Sequence, residues 1–174
     1  MKTSKVRKGR KKSFMSIFSI VLIVLAIAAV LIYLYLNAPG YRLWSGTIYI
    51  KDDGSVDPPN TPVHRNKDMY ILTGDVYGPI VVKRDNVTVD GSGYTLQGEG
   101  STDSIGVYLH GRRNVTIENM KINAFWYGIY LNRSSNNVVF GSSITAIGYG
   151  VYLAYSSDNI VSSNSMANLS LIHI

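Results

Sequence analysis

The sequence contains no cysteine in its 174 residues. This absence excludes disulfide frameworks, thiolate metal sites, iron–sulfur clusters and cysteine nucleophiles. Charged residues are also scarce, at 16% of the chain, against a usual share of about 25%. That scarcity disfavours coiled coils and helical bundles, which carry charged outer faces. The 16 glycines and 13 tyrosines instead favour strands and turns, and the 46% of apolar residues can form a core.

The net charge of +6 comes from the amino terminus alone. Residues 1–13 hold seven Lys and Arg, while the rest of the chain has ten Lys and Arg against eleven Asp and Glu. Basic tails occur in nucleic-acid-binding proteins, but this one leads directly into an apolar run. We therefore interpret it as a cytoplasmic tail that sets membrane topology, and we expect no nucleic-acid partner.

Residues 14–36 form a run of 23 residues without a charge. At about 1.5 Å per residue, this run is long enough to cross a hydrocarbon layer about 30 Å thick. A cleaved signal peptide is the alternative, since Ala26-Ile27-Ala28 fits a cleavage site, but the apolar run continues to Leu36. The sequence predicts a single-pass transmembrane anchor, a linker at 37–47 and an extracellular carboxyl-terminal body.

The last six residues, 169–174, read Leu-Ser-Leu-Ile-His-Ile. This hexapeptide is the translation of the start of a transposase adapter used to prepare sequencing libraries. We interpret it as a sequencing artefact and assign it no structural role. We expect the natural protein to be longer, because the repeat described next is interrupted there.

From residue 106 the sequence repeats with a period of 22. The motif Gly-Val/Ile-Tyr-Leu occurs at 106–109, 128–131 and 150–153, and apolar residues recur at Ile122, Ile144 and Met166. Such self-similarity marks a solenoid. An earlier copy at 86–91 matches 114–119 with an offset of 28, and we assign the surplus to a glycine-rich excursion over 91–104.

The residue types within each repeat define the kind of solenoid. Short stretches alternate apolar and polar residues between Gly, Ser and Asn, and none has a helical period. Leucine-rich repeats are excluded because their consensus order is missing, and hexapeptide helices because 22 is not a multiple of six. The sequence predicts an all-β fold, a parallel β-helix of about 22 residues per coil over 78–168. Strands within 48–77 are expected to cap its first coil.

Three further segments carry a family resemblance: 48–56, 70–75 and 86–96. With the repeats, they resemble the opening of archaeal right-handed parallel β-helix surface proteins, the NosD-like or carbohydrate-binding and sugar-hydrolase-like repeat group. The resemblance covers about residues 48–168 and implies right-handed winding and a pectin lyase-like scaffold. It does not define an activity, because lyases, epimerases, adhesins and metal-maturation proteins share this scaffold.

The tyrosine of each repeat is the candidate ligand contact. Tyr108, Tyr130 and Tyr152 alternate with inward residues, so their rings should point outward and stack in a ladder. Such rings can pack against sugar rings, or they can simply stabilise the sheet. Tyr127 and Tyr149, each just before a repeat glycine, form a second pair with the same two interpretations.

Asparagine recurs at the turns. The column Asn114, Asn136 and Asp158 is interpreted as a structural ladder, since Asn and Asp tolerate left-handed backbone angles. The sequons at Asn86, Asn114 and Asn132 are glycosylation candidates if the body lies outside the cell.

The sequence gives little support for a catalytic site or a metal site. No Asp or Glu occurs between Glu118 and Asp158, so the regular coils lack the acid pair that glycoside hydrolysis requires. The NosD resemblance implies copper, whose ligands are His, Met and Cys. However, His64 and His110 stand alone, and Met120 and Met166 fall in or near core columns. We predict no catalytic residue, metal or cofactor in this chain.

These observations predict a membrane-anchored cell-surface β-helix that interacts with carbohydrate or has a structural, adhesive role. Its expected partners are the membrane and glycans or other cell-envelope polymers. The alternative is a polysaccharide lyase, epimerase or hydrolase whose active residues lie on further coils at the carboxyl end.

Overall fold

The computed structural model describes residues 17–37 and 44–167. The predicted cytoplasmic tail at 1–13, the predicted adapter at 169–174 and residues 38–43 of the predicted linker lie outside the described residues. The chain divides into two compact units, Met1–Ala38 and Pro39–Ile174.

The first unit contains one helix, α1, at Ile17–Asn37. Within the described residues, no helix combines the length and the apolar character needed to cross a membrane. The transmembrane anchor predicted at 14–36 is therefore not supported by the structure.

The second unit is built from three six-stranded sheets. Pairing is parallel except between β2 and β3 and between β4 and β5. In order across each sheet, sheet 1 consists of β1 (Trp44–Ser45), β6 (Val76–Tyr77), β9 (Thr95–Gln97), β12 (Lys121–Asn123), β15 (Ser143–Thr145) and β18 (Ser165–Ala167). Sheet 2 consists of β3 (Val56–Asp57), β2 (Ile48–Ile50), β7 (Ile80–Val82), β10 (Ile105–His110), β13 (Tyr127–Asn132) and β16 (Tyr149–Ala154). Sheet 3 consists of β4 (Val63–Asn66), β5 (Met69–Leu72), β8 (Val87–Asp90), β11 (Val115–Glu118), β14 (Val138–Phe140) and β17 (Ile160–Ser162).

Successive coils contribute one strand to each sheet, which confirms the predicted β-solenoid. Val107 pairs with Ile129, and Ile129 with Val151, so residues 22 apart lie in neighbouring strands. The column Ile122, Ile144 and Met166 aligns in the same way. The offset of 28 at the first repeat is also confirmed, because Val87 pairs with Val115. Right-handed winding stays a prediction.

The amino-terminal strands do more than cap the solenoid. β2 and β5 pair in parallel with β7 and β8, so they form a coil of their own. The antiparallel strands β3 and β4 cover the outer edges of β2 and β5, where unpaired backbone groups would otherwise face solvent. β1 extends this coil into the stretch predicted as linker, and β9 lies inside the stretch predicted as an excursion.

Apolar side chains from all three sheets fill the interior. Alternation within each strand places every second residue inward, and the inward Ile129 and Leu131 are fully buried. Val151, in the last coil of the described residues, is 6% exposed. The outward residues of the same strands form the surface on which the candidate sites lie.

Candidate functional site

Outward tyrosines of sheet 2 come together on three neighbouring strands. Tyr108, Tyr130 and Tyr152 are in register, as predicted, and each is half-buried. Their ring centroids are separated by 5.4 Å and 5.1 Å, but the rings are inclined by 53° and 68°. The rings therefore contact each other by tilted and edge geometries, whereas the sequence predicted that they stack in a ladder.

Tyr127 and Tyr149 complete this group. Their rings are 5.3 Å apart and inclined by only 7°, which makes them the stacked pair. Tyr127 also contacts Tyr130 at 5.3 Å and Tyr152 at 5.2 Å. The two tyrosine columns were predicted as separate features, whereas in the structure all five rings form one surface, named here the tyrosine surface.

Tyr130 lies at the centre of the tyrosine surface. Burial raises the pKa of its phenol, and the neighbouring tyrosines, first Tyr108 and then Tyr152, raise it further. The hydroxyl therefore stays protonated at neutral pH and can both donate and accept a hydrogen bond. The tyrosine surface thus combines apolar ring faces with polar hydroxyl groups.

A pocket of about 380 Å³ adjoins the tyrosine surface at Tyr108. Its charged or titratable lining residues are Asp52, Lys83, His110 and Arg112. The Tyr108 hydroxyl lies 3.4 Å from His110 Nδ1, which connects the pocket directly to the tyrosine surface. We name this pocket the basic pocket.

Two of the three sequon asparagines contact each other. Asn114 Nδ2 donates a hydrogen bond to Asn86 Oδ1 at 2.9 Å, and both side chains are exposed. Both residues have a positive φ, 58° at Asn86 and 55° at Asn114, which asparagine tolerates well. They border an open groove of about 550 Å³ beside β4 and β5 that also includes Thr88 and Thr116. Glycosylation of either residue stays a prediction.

The third sequon is less accessible. Asn132 is half-buried, and Ser134, the hydroxyl residue of this sequon, is 1% exposed. Ser134 Oγ donates to the carbonyl oxygens of Asn132 and Leu109 and accepts from the backbone N–H of Arg112. A folded chain therefore presents Asn132 poorly to a modifying enzyme.

The side-chain amides of buried Asn137 and half-buried Asn159 form a polar ladder that was not predicted from the sequence. Asn137 is 1% exposed; its Oδ1 accepts from the Val115 backbone N–H at 2.9 Å and its Nδ2 donates to the Arg112 carbonyl oxygen. Asn159 makes the same two contacts one coil later, to Asn137 and Ser134. The predicted column Asn114, Asn136 and Asp158 does have the left-handed angles expected of a turn. The recurrence of Asn at 137 and 159 could have revealed the buried column beside it.

The donor set for copper is not assembled in the described residues. His64 lies on β4 of sheet 3 and His110 on β10 of sheet 2, while Met120 is buried in the core. Across residues 17–37 and 44–167, no three His, Asp or Glu side chains are grouped so that they could hold a metal ion. These residues do not fit the His, Met and Cys ligation that copper prefers, and we derive no chemistry through it.

Comparison with known proteins identifies the family. A family model described as "Periplasmic copper-binding protein (NosD)" matches residues 63–172, more than half of the chain. No curated protein and no solved structure matches the chain. The matched region starts at β4 and includes every 22-residue coil described above. On this match and the β-solenoid architecture, the chain belongs to the NosD family of parallel β-helix proteins.

Proposed function

We propose that this chain is an extracytoplasmic β-helix that binds carbohydrate through its tyrosine surface, without catalysis by the described residues. The observation that carries the proposal is the continuity of five outward rings on three adjacent strands, with neighbouring centroids 5.0–5.4 Å apart. The family description, which names periplasmic proteins, supports a location outside the cytoplasm.

The chemistry of the rings favours a sugar ligand. A pyranose has an apolar face made by its C–H groups and a rim of hydroxyls. The faces of the tyrosine rings can pack against the apolar face of the sugar, and the tyrosine hydroxyls can form hydrogen bonds with the sugar hydroxyls. The rings are half-buried by each other, so they lose little rotational freedom when a ligand binds.

The arrangement of the rings favours a chain-like ligand. Coils stack at about 4.8 Å, and each of three successive coils supplies a tyrosine to the column of Tyr108, Tyr130 and Tyr152. An oligosaccharide lying along the solenoid axis would meet a new ring at each coil. Affinity should therefore increase with oligosaccharide length over this range.

Substitution of the central ring tests the proposal. In the Tyr130→Ala variant, we expect glycan affinity to fall about two- to tenfold, because one aromatic contact contributes roughly 0.5–1.5 kcal/mol. Binding can be screened on a glycan array and then measured by isothermal titration calorimetry.

Tyr94→Ala is the matched control, since Tyr94 is exposed but lies in the turn before β9, outside the tyrosine surface. Circular dichroism shows whether both variants keep the β fold. Unchanged binding in a folded Tyr130→Ala variant would remove the tyrosine surface as the ligand site.

We also propose that residues 14–36 attach the chain to a membrane. This second proposal rests on the sequence alone. The basic residues before this segment and its lack of charge favour an amino terminus in the cytoplasm.

A further inference from the structure

We propose that the basic pocket binds a carboxylate of the ligand, so that the preferred glycan is an acidic one containing uronic acid. This inference rests on the proposed function, because the pocket extends the tyrosine surface. It assigns the substrate class and the direction in which the ligand lies.

The pocket is built by side chains from successive coils. Val81 pairs with Tyr108 and Val82 with Leu109, so Lys83, directly after β7, and His110, at the end of β10, follow in the same register. Both side chains are exposed. They occupy the outward position two residues beyond the tyrosine column, at the border of the tyrosine surface.

Arg112 fixes the geometry of this border. Its Nε donates to the His110 carbonyl oxygen at 3.0 Å, and its Nη1 donates to the Lys83 carbonyl oxygen. The guanidinium thus bridges two coils and is held in place before a ligand arrives. Such preorganisation reduces the entropy lost on binding.

The pocket lining contains two cations, Lys83 and Arg112, and one carboxylate, Asp52. Lys83 Nζ lies 4.8 Å from the centroid of the Tyr49 ring, and no carboxylate of the described residues forms an ion pair with it. Arg112 Nη1 forms an ion pair with Asp85 Oδ1 at 3.5 Å and lies 3.9 Å from Oδ1 of Asp52, whose side chain is largely exposed. Lys83 is therefore the cation most available to a carboxylate.

In the column of Lys83 and His110, the charged or titratable side chains lie at one end of the tyrosine surface. Arg133, outside this column, has its Cζ 5.9 Å from the centroid of the Tyr155 ring. The positions that follow His110 in the next two coils are Asn132 and Ala154, which carry no charge. A ligand whose carboxylate occupies the basic pocket would therefore run from Tyr108 towards Tyr152. The uncharged end of the tyrosine surface accepts the neutral faces of sugar rings. The basic pocket therefore determines the direction in which the ligand lies and the preference for a charged ligand.

The test compares two ligands: a uronic acid hexasaccharide and its fully methyl-esterified form, in which each carboxylate is replaced by an uncharged ester. We expect the wild-type chain to bind the acid about fivefold more tightly than the ester, as for one exposed charge pair. Lys83→Gln should remove most of this preference by weakening binding of the acid. Lys121→Gln is the control, because Lys121 is exposed on β12 of sheet 1.

The outcomes separate this inference from the proposed function. Equal binding of acid and ester, with no effect of Lys83→Gln, would overturn the inference, while loss of ester binding in Tyr130→Ala would still support the tyrosine surface as a sugar site. Failure of the chain to bind either hexasaccharide would overturn the inference, and the proposed function would fall only if no glycan of the array bound either. A hexasaccharide of neutral sugar units made anionic by sulfate esters is a third ligand, and binding of this form without binding of the acid would also overturn the assignment to carboxylates.

Discussion

Single buried polar side chains hold neighbouring coils together. Asn137 satisfies one backbone N–H and one carbonyl group of the preceding coil, and the Asn159 side chain accepts a further hydrogen bond from Asn137 Nδ2 at 2.9 Å. In the coil before, the equivalent position is Val115, which is fully buried in the core. The same column therefore changes from apolar packing at Val115 to hydrogen bonding at Asn137. Among the described residues, no buried side-chain nitrogen or oxygen atom is left without a hydrogen-bond partner.

Replacement of Asn137 by alanine should destabilise the fold by about 1–3 kcal/mol, because the Val115 N–H and the Arg112 carbonyl group lose their buried partner. Urea unfolding followed by circular dichroism measures the change. Asn136→Gly is the control, since Asn136 is exposed and glycine keeps its positive φ. Equal stability of the Asn137→Ala variant and the wild type would contradict a structural role for the ladder.

The strands of sheet 2 depend on a glycine at the same position of each repeat. A Cβ on Gly128 would lie 2.5 Å from both the carbonyl oxygen of Gly150 and Cγ2 of Ile144. The backbones of adjacent coils thus approach closely at this column, which explains why the repeat motif begins with glycine.

Gly128→Ala should therefore cost about 1–3 kcal/mol of stability, because the strand must shift away from its neighbour. Thermal unfolding compares this variant with Gly74→Ala. At Gly74 a Cβ would meet only Pro62 at an ordinary 3.5 Å, and we expect a change near zero. A Gly128→Ala variant as stable as Gly74→Ala would show that the coils can separate at this column without cost.

The elements differ in how far the sequence predicts them. The 22-residue register followed directly from Gly-Val/Ile-Tyr-Leu, because residues one coil apart face the same neighbours. The coil formed by β1, β2 and β5 was harder to predict, because antiparallel strands interrupt it and hide the period. At the candidate site, the tyrosine column was predicted, but the inclination of its rings depends on side-chain packing that the repeat does not encode. The basic pocket was missed because Asp52, Lys83 and Arg112 occur at unrelated spacings and meet only when the coils stack.

At the scale of the whole molecule, family membership and site chemistry point in different directions. The family description names copper, yet the described residues offer two separate histidines and no cysteine. The chain shares the coil architecture with its family. This architecture can occur with or without a set of metal ligands. A common scaffold therefore does not transfer an activity.

The amino-terminal segment supplies the remaining prediction at this scale. If residues 14–36 anchor the chain, the protein should sediment with membranes and resist alkaline carbonate extraction. Replacement of Val24 and Ile27 by Asp should release it, since each charge at the centre of a bilayer costs about 2.5–3.5 kcal/mol. Recovery of the wild-type chain in the soluble fraction would contradict the anchor and agree with the absence of a membrane-spanning helix in the described part.

The buried ladder also has a polarity that bears on how the chain is assembled. Side chains of Asn137, Asn159 and Asn164 all reach back to the coil that precedes them in the sequence. A coil can therefore attach its side-chain amide to a finished amino-terminal template, whereas its own backbone groups, such as the Asn137 N–H, gain their side-chain partner only when the next coil has emerged. A polypeptide synthesised or exported from its amino end could fold one coil at a time, in the order in which its residues appear.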